Sequence, residues 1–330
     1  MGNNEKNKQS NLPVLIIGSL GYHTDNIINP IVNAIVRRNV PVVRTSGLMD
    51  FFIPKNKDEV LDAVREGVVS SLHNFRSLFF VDFFNFLVPV YNYIKSIEQQ
   101  EIKTFALWHG STALPNDVAN MINHAALYEN FLYDFYDGVI LPNKSLKPYI
   151  PAKAQTLYIP FPTDLQFSRP TPDYKYKDRV VFGHRFNEDK GKTKFLEFVR
   201  FLRDKGHADT EVIVFDAPQD VDESLNIHFK GRVSQLEMAR HCTGGGYAWS
   251  SVKSETFSYT MLDLLSFGLT PLANEHPAYN YLPKRFIYGN DIKAAYDLFL
   301  AKKTMTLNEW DIIKSKIGRG ANKIAEVLLR

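Results

Sequence analysis

Short apolar runs alternate with helical patterns along the first half of the chain. Unbroken apolar runs are typical of strands buried on both faces, as in parallel sheets. Strands separated by helices imply right-handed crossovers in one sheet. The predicted strands are Pro13–Ile17, Val40–Arg44, Ser77–Phe83, Thr104–Trp108, Gly138–Leu141 and Thr156–Ile159, and the predicted helices are one that buries Ile27, Ile31 and Ile35, then Lys57–Ser70, Val90–Gln99 and Val118–Tyr133.

The same alternation resumes after a polar stretch at 160–178 that holds four of the 17 prolines and reads as a linker. A strand beginning at Arg179 precedes a helix with Phe195, Phe198, Val199 and Leu202 on one face. Further strands are predicted at Glu211–Asp216, Asn226–Lys230, Gly244–Trp249 and Leu269–Ala273, and a final helix at Leu307–Leu329. We therefore predict an α/β protein with a flexible tail at 1–11, parallel-sheet domains at 12–165 and 166–305, and a helix at 306–330 that crosses back to the first domain.

Composition permits a large core and restricts the compartment. Hydrophobic residues make up 45% of the 330 residues, and the net charge of +3 permits an anionic partner without requiring one. The single cysteine, Cys242, excludes an internal disulfide and fits a reducing compartment. Cys242, beside His241, Thr243 and Gly244, can be a nucleophile or a buried bystander, and we expect the bystander. No apolar run is long enough to span a membrane and the tail is not a signal peptide, so we expect a soluble cytoplasmic protein.

The stretch from Tyr247 to Ala273 reads as a strand, a polar loop, a short helix and a second strand. Ser258 is a good N-cap, and the N–H groups of the first helical turn would then form an anion site suited to a diphosphate. Glu255 and Asp263 stand at opposite ends of this segment, so they can hold two ends of an elongated polar ligand. Core packing does not explain Asp263, because the apolar stripe of Met261, Leu264 and Leu265 turns it away.

A second charged loop follows the strand that begins at Arg179. Arg185 and Lys190 lie on a strand-to-helix loop and can close on one diphosphate from two sides, since a guanidinium matches phosphate oxygens bidentately. The alternative is a solvated charge cluster without a ligand.

These two motifs resemble those of retaining nucleotide-sugar glycosyltransferases with the GT-B fold. The resemblance implies two Rossmann-like domains that face a central cleft. It places Glu255 and His109 near the donor sugar, Arg185, Lys190 and the backbone of Phe257, Ser258, Tyr259 and Thr260 at the diphosphate, and Asp263 at the ribose. The family usually has Glu at this last position and lacks a histidine such as His184 between glycine and arginine.

Other residues complete the predicted site. Gly18 and Gly21 form a glycine turn after the first strand, where backbone N–H groups can approach a ligand or serve a tight turn alone. His109 follows a buried strand at the sheet edge where such folds bind ligands. By resemblance, Arg232 or Val233 lines the pocket of the nucleotide base.

The resemblance implies a hexosyltransferase without a metal or other cofactor, since the two cations and the helix start neutralise the leaving diphosphate. The donor is a UDP-sugar, with a GDP-sugar as the alternative. The segments Thr156–Asp164, Gly245–Ala248 and Tyr259–Leu264 resemble those of phage DNA α-glucosyltransferases. This resemblance makes double-stranded DNA with 5-hydroxymethyl-pyrimidine a candidate acceptor, with Trp108, Lys144, Lys147, Tyr149 and Lys153 as an anionic-acceptor wall. A glycan acceptor, a sugar-nucleotide epimerase or hydrolase, and a silent binding module are the alternatives. The oligomeric state stays open.

Overall fold

The chain is described by a computed structural model that covers residues 12–18, 22–46, 75–85, 87–98, 101–114, 117, 119, 124–163 and 178–330. The predicted tail, the predicted helix Lys57–Ser70, Gly21 and most of the predicted linker lie outside these residues. Within them, the chain divides into two compact units, one formed by 1–164 with 316–330 and the other by 165–315.

The first unit contains a six-stranded parallel sheet in the order β2-β1-β3-β4-β5-β6. Its strands lie close to the predicted ones, because each is an apolar run buried on both faces. They are β1 Val14–Gly18, β2 Val42–Ser46, β3 Ser77–Phe80, β4 Lys103–Leu107, β5 Gly138–Leu141 and β6 Thr156–Tyr158, and the helices are α1 Tyr22–Val36, α2 Val88–Ile97 and α3 Ala125–Leu132.

Helix α1 contains a proline in its interior. Proline favours the first turn of a helix, yet Pro30 lies inside α1. The buried face of Ile27, Ile31 and Ile35 is as predicted, with at most 3% exposure. This packing compensates for the backbone hydrogen bond that Pro30 cannot donate.

The second unit contains a five-stranded parallel sheet in the order β11-β10-β7-β8-β9. Its elements are β7 Arg179–Phe182, α4 Lys192–Asp204, β8 Glu211–Val214, β9 Ile227–Phe229, α5 Gln235–Cys242, β10 Tyr247–Ser250, α6 Tyr259–Ser266, β11 Thr270–Ala273 and α7 Ile292–Leu300. The predicted face of α4 is buried, and Phe198 stacks on Trp249 with ring centroids 4.4 Å apart. Aromatic packing therefore joins this helix to the middle of the sheet.

The last helix, α8 Leu307–Leu328, has its predicted bounds to within one residue. Its residues from Lys316 onward group with the first unit. There the hydroxyl of Ser77 donates to the carbonyl of Leu328 at 2.8 Å, and a side chain at Gly320 would collide with the carbonyl of Pro160. No helix in the described part of the chain is both long and apolar enough to cross a bilayer.

Candidate functional site

Three loops of the second unit leave neighbouring strands at the same edge of the sheet. Strand β10 pairs in parallel with both β7 and β11. Because parallel strands end at one edge, the loops after β7, β10 and β11 meet there. These loops carry Arg185 and Lys190, Glu255, and the segment from Asn274 to Leu282 respectively.

Backbone contacts join the first two of these loops. The carbonyl of Asp189 accepts a hydrogen bond from the Lys253 amide at 2.8 Å, and the Ser251 hydroxyl donates to the Gly191 carbonyl at 2.9 Å. Gly191 has φ of 82°, and any side chain there would collide with the backbone of Ser251. The two loops are therefore held in a fixed relation before any charged side chain is considered.

The charged side chains on these loops form one cluster. The Lys190 ammonium lies 2.9 Å from the carbonyl of Ser254, 3.1 Å from Oε2 of Glu255 and 3.6 Å from Oδ2 of Asp189. The same oxygen of Asp189 lies 3.6 Å from Nη2 of Arg185. Arg185 is half exposed, whereas the side chain of Lys190 is 13% exposed. The structure thus brings Arg185, Lys190 and Glu255 together, with Asp189, which was not predicted, between the two cations.

The start of α6 lies beside this cluster. Ser258 is the N-cap, as predicted, and its hydroxyl accepts from the Met261 amide at 3.2 Å. A Cβ placed on Gly183 would lie 2.9 Å from side-chain atoms of Thr260 and Leu264, so glycine allows α6 to approach the end of β7. Because the cap uses the Met261 amide, our expectation that this amide faces a ligand was wrong, and the backbone N–H groups of Tyr259 and Thr260 are the remaining candidates.

Asp263 is more enclosed than its position in the apolar pattern predicts. It is buried, and Oδ1 accepts from the Gln235 side-chain amide at 2.8 Å at the start of α5. The expectation that packing does not explain Asp263 was therefore wrong, because Gln235 at the start of α5 gives this carboxylate a buried protein partner. Phe257, near the other end of this segment, packs its ring against those of Tyr259 and Tyr281.

His184 lies beneath the two cations. It is 4% exposed, and Nε2 lies 3.2 Å from the Ser250 hydroxyl. Burial, together with the positive charges of Lys190 and Arg185, lowers the pKa of His184 to about 3. The histidine that departs from the family pattern is thus a neutral packing residue at neutral pH.

The loop after β11 supplies residues that sequence reasoning missed. The hydroxyl of Tyr279 contacts that of Ser250, and the hydroxyl of Tyr281 donates to the carbonyl of Ser258 at 3.0 Å. Burial lowers the pKa of His276, with Glu255 opposing the shift and Lys190 adding to it. A polar and aromatic segment directly after a buried strand was the signal available for these residues.

Arg232 and Val233 follow β9, the outermost strand of the sheet and two strands away from β7. Arg232 is largely exposed, and Nε lies 3.4 Å from Oδ1 of Asp216, whose Oδ2 accepts from the Phe186 amide at 2.7 Å. Asp216 therefore connects the Arg232 segment to the loop that carries Arg185. Val233 is half-buried.

The predicted residues of the first unit that the structure describes lie at the end of β1 and after β4. Gly18 is the buried last residue of β1. His109 follows β4, with Nε2 at 2.9 Å from the Val81 carbonyl and its ring 4.9 Å from that of Phe161. His109 thus has the backbone partner expected of an ordinary loop histidine, which is the alternative to a role beside the donor sugar.

Glu129 fixes the loop that begins at His109. It is 4% exposed, and no sequence pattern singled it out. Its carboxylate accepts hydrogen bonds from Ser111 Oγ at 2.5 Å, Thr112 N at 2.7 Å, Thr112 Oγ1 at 2.6 Å and Tyr133 Oη at 3.0 Å. A buried carboxylate with this many donors defines the backbone path after β4.

Two members of the predicted anionic-acceptor wall are not positioned for it. Trp108 is fully buried and donates to Tyr133 Oη at 3.0 Å, so it cannot stack on a base. Lys153 is paired with Asp134 at 2.7 Å. A wall of all five residues is therefore wrong, because strand β4 directs Trp108 into the core.

Neither the cysteine nor an acidic motif adds a reactive centre in the described residues. Burial raises the pKa of the Cys242 thiol to about 12, which favours the bystander interpretation. One Asp-x-Asp occurs, from Asp220 to Asp222, but Asp222 caps a turn by accepting from the Ser224 amide at 3.0 Å. No three His, Cys, Asp or Glu side chains among the described residues lie close enough to hold a metal ion.

The two parallel sheets and their connections are those of the GT-B fold, the fold of many glycosyltransferases. A sucrose-phosphate synthase from Thermosynechococcus elongatus matches with a TM-score of 0.69 at 12% identity, over 96% of this chain and 98% of that one. A trehalose-6-phosphate synthase, studied for glycosyl transfer with retention, matches with a TM-score of 0.63 at 10% identity, over 96% and 98%.

A candidate UDP-N-acetylglucosamine 2-epimerase from Listeria monocytogenes also matches, with a TM-score of 0.53 at 12% identity over 97% of this chain and 95% of that one. No family model matches the chain, and no curated protein matches its sequence. At these identities the likeness establishes the fold, which is the predicted one.

Proposed function

We propose that the protein is a retaining glycosyltransferase that moves a hexose from a nucleotide diphosphate sugar to a hydroxyl group. The observation that carries this proposal is the cluster at the sheet edge of the second unit, where Arg185 and Lys190 both lie 3.6 Å from one carboxylate oxygen. Two cations this close, beside the start of α6, match the spacing of a diphosphate. The GT-B fold of sugar-transferring enzymes supports the same function.

The donor is a UDP-sugar or GDP-sugar, with its diphosphate between Arg185, Lys190 and the first N–H groups of α6. Charge develops on the leaving diphosphate as the bond to the sugar breaks, so preorganised cations stabilise the transition state more than the ground state. No metal ion is needed for this role. Glu255, 3.1 Å from the Lys190 ammonium, is close enough to the diphosphate site to contact the transferring sugar.

The remaining predicted residues have supporting roles in this proposal. Asp263 accepts hydrogen bonds from the ribose, the backbone near Phe257 borders the diphosphate, and Arg232 or Val233 lines the base pocket. By the same resemblance His109 is a catalytic residue near the donor sugar, and Gly18 and Gly21 bring backbone N–H groups close to a ligand. The trehalose-6-phosphate synthase that shares the fold was studied for transfer with retention, which supports that stereochemistry here.

The acceptor carries a hydroxyl group, and hydroxymethylated double-stranded DNA in the cytoplasm of an infected cell is the acceptor that we propose to test first. Its support is the resemblance of Gly245–Ala248 and Tyr259–Leu264 to segments of phage DNA α-glucosyltransferases. A glycan is the other acceptor. Lys144 and Lys147 remain as basic residues of the first unit that can contact a phosphate backbone.

A sugar-nucleotide epimerase or hydrolase is the second candidate function. Its specific support is the structural match to the candidate epimerase over 97% of this chain. Such an enzyme would bind the same nucleotide with the same cluster. It would turn over the nucleotide sugar without any acceptor, which separates it from a transferase.

The test is a panel of UDP-, GDP- and ADP-sugars, first by thermal shift and then by turnover in the presence of EDTA. Each binding donor is incubated alone, with plain DNA, with hydroxymethylated DNA and with oligosaccharides. We expect one nucleotide sugar to stabilise the protein and to be consumed only with an acceptor. Consumption without an acceptor would assign the epimerase or hydrolase, and no binding by any nucleotide sugar would refute both functions.

A further inference from the structure

Asp189 places negative charge between the two cations of the candidate site. Its Oδ2 lies 3.6 Å from both the Arg185 guanidinium and the Lys190 ammonium, and its side chain is 20% exposed. Glu255 adds a second carboxylate at 3.1 Å from Lys190. The four side chains sum to zero formal charge. An anion that enters therefore meets a neutralised pair of cations.

The backbone of Asp189 cannot retreat, but its side chain can. The Asp189 carbonyl is held by the Lys253 amide at 2.8 Å, in the contact that joins the two loops. Rotation of the side chain is therefore the way to separate its carboxylate from Arg185 and Lys190. Movement of this kind is small and needs no change in the loop.

The neighbouring acid, Glu188, points to different partners. Its carboxylate accepts from Thr193 Oγ1 at 2.6 Å and lies 3.3 Å from the ammonium of Lys253. Both acids lie in the short turn Glu188–Lys190. The contact with the two cations is thus a property of position 189 and not of the acidic turn as a whole.

We propose that Asp189 is a built-in competitor of the donor diphosphate. Its carboxylate pairs with Arg185 and Lys190, and a diphosphate that binds both cations displaces it. The competition weakens the binding of every phosphate ligand and favours those that reach both cations at once, which selects a diphosphate over a monophosphate. It also shortens the residence of the nucleoside diphosphate product. This inference rests on the proposed function, because it concerns the same anion site.

The test compares Asp189→Asn with Glu188→Gln, which removes the same charge one residue away. Dissociation constants for UDP, inorganic pyrophosphate and inorganic phosphate are measured by calorimetry at 50 mM and 500 mM NaCl. We expect Asp189→Asn to bind UDP and pyrophosphate about fivefold more tightly at low salt, as for a partly exposed ion pair, with a smaller gain at high salt. Glu188→Gln should stay within about twofold of the natural protein, since its charge lies outside the pair.

Unchanged or weaker binding by Asp189→Asn would overturn the inference, as would an equal gain in Glu188→Gln. Asp189→Ser is a second variant that guards against an asparagine side chain that hydrogen-bonds to the cations. A natural protein that binds UDP-sugars while neither variant at 189 tightens binding would refute the competitor role and leave the proposed function standing. Absence of diphosphate binding in all of these proteins would refute both.

Discussion

Glu129 in the first unit binds the loop that follows the predicted residue His109, and Glu255 in the second unit was itself predicted, yet the partners of the two carboxylates differ. Glu129 is 4% exposed and is satisfied by hydroxyl and amide donors. Glu255 is 20% exposed and pairs with the ammonium of Lys190. A carboxylate surrounded by neutral donors holds a loop in place, whereas one paired with a cation can exchange that partner for a ligand. The first unit therefore uses a carboxylate for rigidity, and in the proposed function the second unit uses one for binding.

The largest effect is expected when the charged cluster is broken. Lys190→Ala should lower kcat/KM by roughly a hundred- to a thousandfold, because it removes a cation from the developing charge of the leaving diphosphate. The loss of unfolding free energy should be about 1 kcal/mol, the net contribution of a typical intramolecular hydrogen bond. Steady-state kinetics and urea unfolding measure the two quantities.

Lys194→Ala is the matched control, because Lys194 forms only an exposed pair with Glu197 at 3.3 Å. It should change neither quantity. Full activity in Lys190→Ala would contradict the role of the cluster.

Mutation of Glu129, which accepts hydrogen bonds from Ser111, Thr112 and Tyr133, should affect stability more than the Lys190 mutation does. Glu129→Ala should lower the free energy of unfolding by about 2 to 4 kcal/mol, because it leaves the buried donors of Ser111, Thr112 and Tyr133 without an acceptor. Glu129→Gln should lose about half as much, since one amide oxygen remains as an acceptor. Urea unfolding followed by circular dichroism checks both values, and equal stability in all three proteins would show that the network does not hold its loop.

The pH dependence of stability should report on the buried His184 in the second unit. The folded pKa of His184 is lowered to about 3, below the usual value of 6.5, so the unfolded chain binds a proton first as the pH falls. The stability contributed by neutral His184 is complete above pH 6.5 and is lost toward pH 3. The loss should be about 2 kcal/mol between pH 7 and pH 5.

His184→Asn should flatten this part of the unfolding profile. His228→Asn is the control, because His228 is exposed and its replacement should keep the natural slope. An unchanged slope in His184→Asn would mean that His184 does not titrate as proposed.

Salt should produce the smallest effect, and it should change donor binding in the second unit but not the stability contributed by Glu129 in the first. Raising NaCl from 0.1 M to 0.5 M should weaken donor binding by a few-fold, because Arg185 is half exposed and its charge is screened. The stability difference between the natural protein and Glu129→Gln should not change with salt. A salt-dependent difference there would mean that the Glu129 carboxylate interacts with charges that mobile ions can screen, and not only with its buried donors.

Most of the fold could be predicted because buried parallel strands are unbroken apolar runs. Gly138–Leu141 has its predicted bounds, and the other described strands differ from theirs by a few residues at the ends. Strand ends were less certain, since hydrophobicity does not mark where pairing stops. Helix α1 continues through Pro30 because the packing of Ile27 and Ile31 outweighs the local preference of proline.

The candidate site could be predicted only where its residues stand close in sequence. Arg185, Lys190, Glu255 and Ser258 fall within two short loops, so their types and spacing were visible. Glu129 and Tyr279 were missed because their partners come from distant segments of the chain. Asp189 was missed because it lies in a short acidic turn of an ordinary kind. Trp108 was misassigned for a related reason: a residue after a strand can point to either face, and the sequence does not say which.

The contact of Gly183 with Thr260 and Leu264 has a consequence for natural variation. A side chain at 183 would meet the ends of two side chains and not backbone atoms, so smaller residues at 260 or 264 could make room for it. Homologous chains should therefore conserve the summed volume of these three positions. Covariation of their sizes across an alignment would be the evolutionary trace of a helix seated on a strand end.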